Sequence, residues 1–353
     1  MRVKPLNQDN HSQFGGKPVT YTKIGPIEIL TGENKSKIPF STSLLVHGRD
    51  ETALIDCGTG HKAYDYIKNQ KPLKNIYLTH YHLDHISGIG EFPEAQTWIN
   101  PYDKHKLKDL HELTKANGLY AVLGEEGAED WIKKRTERNN PVLNAATNVD
   151  MNVYPYELPL QIAGEKMIMI HAPGHTEGLA LPYFPDHGIL FVVDIDLSSF
   201  GPWYNNIDSD IDLFIQSALK TLEVDAEYFV TSHHKGMVRR KEYEQKLHDY
   251  LAIIEKREQK LIDAIDRGIS PEDIVYEEVF YFKETHKKSP LEMTSEIIGI
   301  VKHLQRLIKN GGDYEDYYNE FITTHHLIKE YLFYKKEPHP ADHHPLMTKT
   351  HSL

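Results

Sequence analysis

The sequence NIYLTHYHLDHISGI, residues 75–89, places His80, His82, Asp84 and His85 at the end of an apolar run. The segment NIYLTH is typical of a buried strand, and the residues after it lead into a predicted helix. Because alternate residues of a strand point the same way, we expect His80 and His82 to project together, with Asp84 and His85 in the following turn. Neutral imidazole and carboxylate suit zinc, iron or manganese, and a site without thiolate is more often catalytic than structural.

A polar loop whose histidines cap a helix or face water is the alternative interpretation of this stretch. The pattern H-x-H-x-D-H at a strand-to-helix junction favours a metal site over that alternative, because four ligand side chains would converge on one small volume. The single cysteine, Cys57, excludes an internal disulfide and a cysteine-rich metal site. Any bound metal must therefore use imidazole and carboxylate ligands.

Length and composition indicate a globular protein with more than one domain. The chain has 353 residues, of which 39% are hydrophobic and 26% are charged. No apolar segment of signal-peptide type follows Met1, and no run long enough for a membrane span occurs, so we expect a cytoplasmic protein without membrane association. The formal net charge of −12 argues against broad electrostatic binding to nucleic acid or anionic lipid.

The patterning divides the chain into four segments. Residues 1–16 form an N-terminal arm, 17–240 a body of strands and helices, 241–334 a helical domain, and 335–353 a polar tail predicted to be disordered. The order of strands and helices in the body favours two sheets with helices outside over one doubly wound parallel sheet. Helices are predicted over 101–118 and 125–138, and again from Ser209 as the N-cap residue, and the last strand of the body is predicted in AEYFVTSHHKG, residues 226–236.

The motif THYHLDH, residues 79–85, together with later motifs in the same order, resembles the metallo-β-lactamase fold superfamily over about residues 17–240. The later motifs are HAPGHTEG (171–178), LFVVDIDL (190–197) and FVTSHHKG (229–236), and LIDCG (54–58) precedes them all. The resemblance implies an α/β fold, a four-layer αββα sandwich with metal ions in the cleft between its two sheets.

The same resemblance implies a ligand set for two metal ions. The first metal would be bound by His80, His82 and His175, the second by Asp84, His85 and His233, and Asp194 would bridge them. Val193 stands where the family usually has glycine, so Asp196 remains a competitor for the bridging role, and His234 remains a competitor for His233. Asp56 would orient a ligand imidazole. We expect His171 to be packed or hydrogen-bonded and Cys57 to be a small buried residue.

This all-histidine and aspartate set resembles that of the dinuclear hydrolases, such as glyoxalase II, lactonases and RNA-processing members. It implies two divalent ions, zinc first with iron or manganese as alternatives, and a bridging hydroxide that attacks a thioester, ester or lactone carbonyl of a small-molecule substrate. Asp84 would accept or orient the proton of that hydroxide. The alternatives are an endoribonuclease acting on single-stranded RNA and a non-catalytic metal-binding protein that acts through a protein partner.

Two further regions carry functional hypotheses. The helical domain resembles the winged-helix-like C-terminal domain of lactamase-beta-like protein 2, and it would cap the cleft, form a homodimer contact or bind nucleic acid. Its conspicuous basic residues are Lys302, His303, Arg306 and Lys309. In SSFGPWYNN, residues 198–206, the aromatic residues Phe200, Trp203 and Tyr204 would lie near the metal cleft and either line a substrate pocket or pack the loop.

Overall fold

The computed structural model describes residues 10–12, 19–137, 141–147, 149–280 and 289–332. The predicted arm, 1–16, lies outside these residues except for 10–12, and the predicted tail, 335–353, lies wholly outside them. Among the described residues, no helix is both long and apolar enough to span a membrane.

The first sheet contains eight strands in chain order. Neighbouring strands are antiparallel as far as β5 and parallel from β5 onward. The strands are β1 (Asn10–Ser12), β2 (Val19–Ile24), β3 (Ile27–Leu30), β4 (Ser43–His47), β5 (Thr52–Ile55), β6 (Leu73–Tyr77), β7 (Gln96–Ile99) and β8 (Met151–Val153).

The second sheet contains six strands, also in chain order. Its neighbours are antiparallel except for the parallel pair of β12 and β13. The strands are β9 (Pro159–Ile162), β10 (Glu165–His171), β11 (Ala180–Phe184), β12 (Ile189–Val193), β13 (Tyr228–Thr231) and β14 (Met237–Arg239).

Helices lie between the strands, and beyond β14 the described chain consists of helices and the segments that connect them. The one-turn element α1 (Glu33–Ser36) is unusual because Asn34, Lys35 and Ser36 all have positive φ, which makes it a left-handed turn. The helices after α1 are α2 (His61–Lys68), α3 (Leu83–Ile86), α4 (Leu110–Ala116), α5 (Leu119–Glu137), α6 (Pro141–Ala146), α7 (Ile211–Lys220), α8 (Arg240–Asp266), α9 (Pro290–Lys309), α10 (Glu315–Thr324) and α11 (Lys329–Leu332).

The two sheets pack face to face, as the alternation of side chains in β4 illustrates. Leu44 and Val46 belong to the apolar core between the sheets, together with Phe191 of the second sheet. Leu45 points the other way and belongs to a second core under the helices outside the first sheet, which includes Ile67 of α2. Residues after β14 form a third core between helices. The predicted αββα architecture with a helical C-terminal region is confirmed.

Several local predictions differ from the structure. The strand before the histidine motif ends at Tyr77, so His80 and His82 lie in a loop, and their convergence does not come from strand alternation. The N-cap of α7 is Asp210, whose carboxylate accepts from the backbone N–H of Leu213, and Ser209 precedes it. The predicted helix over 101–118 divides into a 3-10 turn, Lys104–Leu107, and α4.

The region around the predicted boundary between the body and the helical domain also differs in detail from the prediction. The segment 226–236 is not the last strand, because β14 (Met237–Arg239) follows and pairs with β13. Helix α8 begins at Arg240, directly after β14, and we keep the domain boundary near this residue as a proposal. From residue 241 onward the described chain contains helices and no strand, so the wing of a winged helix is not among the described residues.

Candidate metal centre

Seven predicted ligand residues lie together where strands of the two sheets end. The loop after β6 carries His80 and His82, and α3 carries Asp84 and His85. The remaining three follow β10, β12 and β13, and they are His175, Asp194 and His233. Loops from both sheets therefore converge on one site, which the strand ends hold in place.

The first group of ligand atoms contains three imidazole nitrogens around one carboxylate oxygen. Asp194 Oδ2 lies 2.7 Å from His175 Nε2 and 3.2 Å from His80 Nε2. His82 Nδ1 lies 2.9 Å from His175 Nε2. One ligand atom from each of these four residues lies within 4.8 Å of every other, which is close enough to surround a single ion.

The second group of ligand atoms surrounds the other oxygen of the same carboxylate. Asp194 Oδ1 lies 3.2 Å from His85 Nε2 and 3.4 Å from His233 Nε2. Asp84 Oδ2 lies 3.2 Å from His233 Nε2. The two oxygens of Asp194 thus face two separate groups of ligand residues, as a bridging carboxylate would.

The two competing residues lie in different positions. Asp196 accepts a hydrogen bond from the backbone N–H of His233 at 2.9 Å, and it could also join Asp194 and His233 in a smaller group of ligand atoms. Burial raises the pKa of Asp196 to about 7, so this carboxylate is less readily ionised than an ordinary one. His234 has an exposed side chain and belongs to none of the described ligand groups.

The donor set fits divalent metal ions because buried ligand atoms have no other partner. His80 Nε2, His85 Nε2 and Asp194 Oδ1 are buried, and none makes a hydrogen bond of acceptable geometry within the described chain. Buried polar atoms without partners are costly and rare in folded proteins. A cation between these atoms would satisfy all of them at once.

The second nitrogen of each ligand imidazole has its own protein partner, which fixes the direction of the ring. His85 Nδ1 lies 2.8 Å from Asp56 Oδ2, the contact that the predicted role of Asp56 requires. The other pairs are His80 Nδ1 with Thr79 Oγ1, His175 Nδ1 with the carbonyl of Trp203, His233 Nδ1 with the carbonyl of Ser36, and His82 Nε2 with the side-chain amide of Asn206. Sequence patterns did not indicate Ser36 or Asn206, because these residues lie 197 and 124 residues from their histidines and meet them only after folding. Thr79 directly precedes His80 in the chain.

The pKa values of the ligand residues reflect burial and mutual charge. Burial lowers the pKa of His80 to about 3, with a further contribution from His85, so its imidazole is neutral as metal binding requires. Burial alone would raise the pKa of Asp194, but His85 and His175 lower it well below its usual range. Burial opposes protonation of His85, yet the carboxylates of Asp194 and Asp56 raise its pKa above the ordinary value. The same negative charges would attract cations in place of protons.

The backbone at Val193 explains why the family usually has glycine at this position. Val193 has φ of 50° and is fully buried, and its carbonyl accepts from the backbone N–H of Ser232 at 2.8 Å. A β-branched residue with positive φ is strained. The chain therefore turns sharply at Val193, and this turn brings the next residue, Asp194, into the site.

The predicted aromatic residues differ in their surroundings. Phe200 is 48% exposed, whereas Tyr204 is fully buried. The hydroxyl of Tyr204 pairs with His303 Nε2 at 2.9 Å and accepts from Arg257 Nη1 at 3.1 Å, which matches the packing alternative for this residue. Trp203 contributes its carbonyl to His175.

Two predictions about residues outside the ligand set are confirmed. His171 Nε2 pairs with the carbonyl of Glu177 at 2.9 Å, and its ring stacks on Tyr102, so it is hydrogen-bonded and packed. Cys57 is a fully buried free cysteine.

The basic residues of α9 are paired within the protein. Arg306 contacts Asp212 at 2.9 Å and Glu258 at 2.7 Å, and Lys309 contacts Asp212 at 2.6 Å. Lys302 donates to backbone carbonyls. Burial lowers the pKa of His303, which disfavours the charged form of its imidazole. These charges are therefore not presented as an unpaired basic surface.

Comparison with known proteins gives the family and the fold. The model of the metallo-beta-lactamase superfamily matches residues 38–233. Among solved structures, a metallo-beta-lactamase family protein from Thermus thermophilus superposes with a TM-score of 0.58 at 18% identity, covering 81% of this chain and 94% of that one. A beta-lactamase domain protein from Burkholderia ambifaria superposes with a TM-score of 0.57 at 14% identity, covering 83% and 88%. At these identities the likeness concerns the fold alone.

Two curated proteins are distantly similar in sequence. A linear primary-alkylsulfatase from a Pseudomonas species is 22% identical over 265 residues, which are 69% of this chain and 49% of that protein. A hydroxyacylglutathione hydrolase from Bartonella henselae is 24% identical over 154 residues, which are 43% of this chain and 46% of that protein. The matched regions span about half the length of each relative.

Proposed function

Because the chain belongs to the metallo-β-lactamase superfamily, we propose that it is a hydrolase that uses two divalent metal ions to cleave a thioester, ester or lactone. The observation that carries this proposal is the position of Asp194, whose two oxygens face separate groups of ligand atoms. A carboxylate in that position can neutralise two cations at once. Zinc suits the imidazole and carboxylate donors best, with iron and manganese as alternatives.

When bound, the two ions would lower the pKa of a coordinated water and polarise the scissile carbonyl. The protein residues hold the ligands in place and exclude water from most of the site, since the side chains of His80, His175 and Asp194 are at most 6% exposed. Asp84 differs because its side chain is 19% exposed. Its carboxylate therefore faces the open side of the site, where it can accept a proton from the attacking water and orient the remaining hydrogen.

The name of one curated relative supports the thioester within this substrate class. That relative is a hydrolase of hydroxyacylglutathione, in which the acyl group is attached to a thiol. The other curated relative is an alkylsulfatase and matches more of this chain, so a primary alkyl sulfate is a second candidate substrate. A metal centre that polarises the electrophile and activates a water would suit hydrolysis of either compound.

The RNA alternative lacks a matching surface on α9. Phosphate binding needs cations that can approach the backbone of the nucleic acid. Arg306 and Lys309 are instead paired with Asp212 and Glu258, and the chain carries a net charge of −12. We therefore rank RNA cleavage below hydrolysis of a small substrate.

The test is an activity panel on protein of measured metal content. Zinc-loaded wild type is assayed with a small thioester, a carboxylic ester, a lactone, a primary alkyl sulfate and single-stranded RNA across a salt series. Asp194→Asn should lose turnover, and Lys309→Glu serves as a matched surface control that should retain it. Turnover of RNA alone, falling steeply with salt and with Lys309→Glu, would contradict the proposal. A metal-loaded protein that turns over nothing would favour the non-catalytic alternative.

A further inference from the structure

The segment between Asp194 and α7 contacts two metal-ligand histidines, and we call residues 198–209 the ligand loop. The carbonyl of Trp203 accepts from His175 Nδ1 at 2.9 Å, and Ser209 Oγ donates to the carbonyl of His175 at 2.7 Å. The side-chain amide of Asn206 contacts His82 Nε2. Both histidines belong to the first ligand group. The supporting partners of His85 and His233 lie outside the ligand loop: Asp56 and Ser36 come from distant parts of the chain, and Asp196 lies two residues before the loop.

The ligand loop contains no helix or strand, and the carbonyls that its own turns do not pair need donors from elsewhere. Arg257 of α8 provides such donors. Its side chain is buried, and its Nη1 donates to the carbonyl of Pro202 at 2.6 Å and to the hydroxyl of Tyr204 at 3.1 Å, while Nη2 donates to the carbonyl of Phe200. A planar guanidinium can serve several acceptors in one fixed geometry, which a lysine ammonium cannot do in the same way.

Helix α9 holds the other half of the same loop. Lys302 Nζ donates to the carbonyl of Ile207 at 3.4 Å and to the carbonyl of Ser209. His303 Nε2 pairs with the hydroxyl of Tyr204, and Glu258 contacts both His303 and Arg306. The contacts from α8 and α9 thus form one connected network over the loop. Ser209 is held by Lys302 through its carbonyl and holds His175 through its hydroxyl.

We propose that Arg257 and Lys302 are positioning residues for the first metal, acting through the ligand loop on His175 and His82. The C-terminal helices are then part of the construction of one of the two metal sites. This proposal rests on the proposed function because it requires two metal ions. It predicts an asymmetry: changes at Arg257 and Lys302 weaken the first metal site, while the second site, whose ligands are supported by Asp56 and Ser36, is spared.

The experiment measures cobalt(II) binding to the full chain by visible absorption in competition with a chelator, which gives the affinity of each equivalent without an activity assay. We expect Arg257→Met to weaken one of the two equivalents at least tenfold and to change its ligand-field spectrum, as loss of an outer-shell partner typically does. Arg257→Lys should recover part of the affinity, and Lys302→Met should weaken the same equivalent. Arg267→Met is the control, because Arg267 is the C-cap residue of the same helix and its side chain pairs with Glu277 at the surface.

A double-mutant cycle identifies which equivalent is affected. In the background of His175→Ala, which already lacks the first site, Arg257→Met should cause no further tenfold loss. In the background of His233→Ala it should weaken the remaining equivalent as it does in wild type. Equal weakening of both equivalents by Arg257→Met and by Lys302→Met, or no weakening by either variant, would overturn the proposal.

Misfolding is distinguished by circular dichroism and by the milder Arg257→Lys and Tyr204→Phe variants, which keep most of the buried volume. If Arg257→Met does not fold, an unchanged first equivalent in Lys302→Met and Arg257→Lys overturns the proposal, and selective weakening supports it. Wild type that binds fewer than two cobalt ions would contradict the proposed function itself. Two normal ions in wild type and in these variants would contradict the positioning role alone.

Discussion

Asp56→Asn should weaken the second metal site selectively, because this carboxylate orients His85. Asp56 is fully buried, and its Oδ2 lies 2.8 Å from His85 Nδ1 and accepts from Thr79 Oγ1 at 2.8 Å. Its Oδ1 accepts from the backbone N–H of Thr79 at 2.8 Å. Asparagine has nearly the same shape, and it tolerates the positive φ of 55° at this position. The substitution therefore changes charge and donor pattern while leaving the packing intact.

The magnitude follows from the number of acceptors that the new side chain can offer. Its NH₂ group must replace one carboxylate oxygen, so it faces either the N–H of Thr79 or Nδ1–H of His85. If it faces His85, the ring must move its proton to Nε2, the atom that should bind the metal. A hydrogen bond to a charged group contributes about 1.5–3 kcal/mol. Since about 1.4 kcal/mol corresponds to a factor of ten, we expect the second metal to bind roughly 10- to 100-fold more weakly.

The assay is a stepwise zinc or cobalt titration against a chelator, with Asp50→Asn as the control because Asp50 is 88% exposed. The first metal should be affected less, since Asp56 reaches His80 only through the hydroxyl of Thr79. An unchanged affinity for the second metal, or a larger loss at the first, would refute the reasoning.

Asp194→Asn should lower the metal content from close to two ions per chain and abolish hydrolysis, whereas Asp196→Asn should leave the metal content nearly intact. Elemental analysis of both variants measures the metal content, and equal losses would show that the bridging residue is misassigned. His233→Ala should lose the second metal and His234→Ala should not, because only the His233 ring reaches the second group of ligand atoms. The reverse result would show that His234 is the ligand. Burial alone would raise the pKa of Glu28, but hydrogen bonds from His47, Lys23 and Tyr66 lower it to about 2 from an ordinary 4.5. This depressed pKa stabilises the fold by roughly 3 kcal/mol above pH 4.5, and the stabilisation is lost as the pH falls from 4.5 toward 2. Denaturant unfolding should therefore show a difference between wild type and Glu28→Gln at pH 6 that shrinks by pH 3, and a constant difference would contradict this origin.

The sequence by itself indicated which residue types would bind metal. Five predicted site residues, Asp56, His80, His82, Asp84 and His85, lie in two short motifs, where spacing alone limits how far apart side chains can be. The two-sheet architecture was also predictable from the order of strands and helices along the body. A short continuous apolar run, as in β4, is in addition a local signal for a strand buried on both faces. The predicted first and last residues of the elements were less accurate. Ser209 and Asp210 are both good capping residues, and only the backbone geometry selects Asp210.

The tertiary structure determined which residues that are distant in sequence contact one another. Nothing in the spacing assigns one oxygen of Asp194 to His175 and the other to His85. His85 follows a strand of the first sheet, whereas Asp194 and His175 follow strands of the second. In the sequence, Arg306 and Lys309 are conspicuous basic residues of α9. After folding, Lys309 pairs with Asp212, 97 residues away, and Arg306 pairs with Glu258, 48 residues away. Periodicity and capping depend on neighbours along the chain, whereas ion pairs and ligand orientation depend on neighbours in space. The sequence therefore indicated the candidate ligands, whereas the positions of their supporting residues depend on the fold.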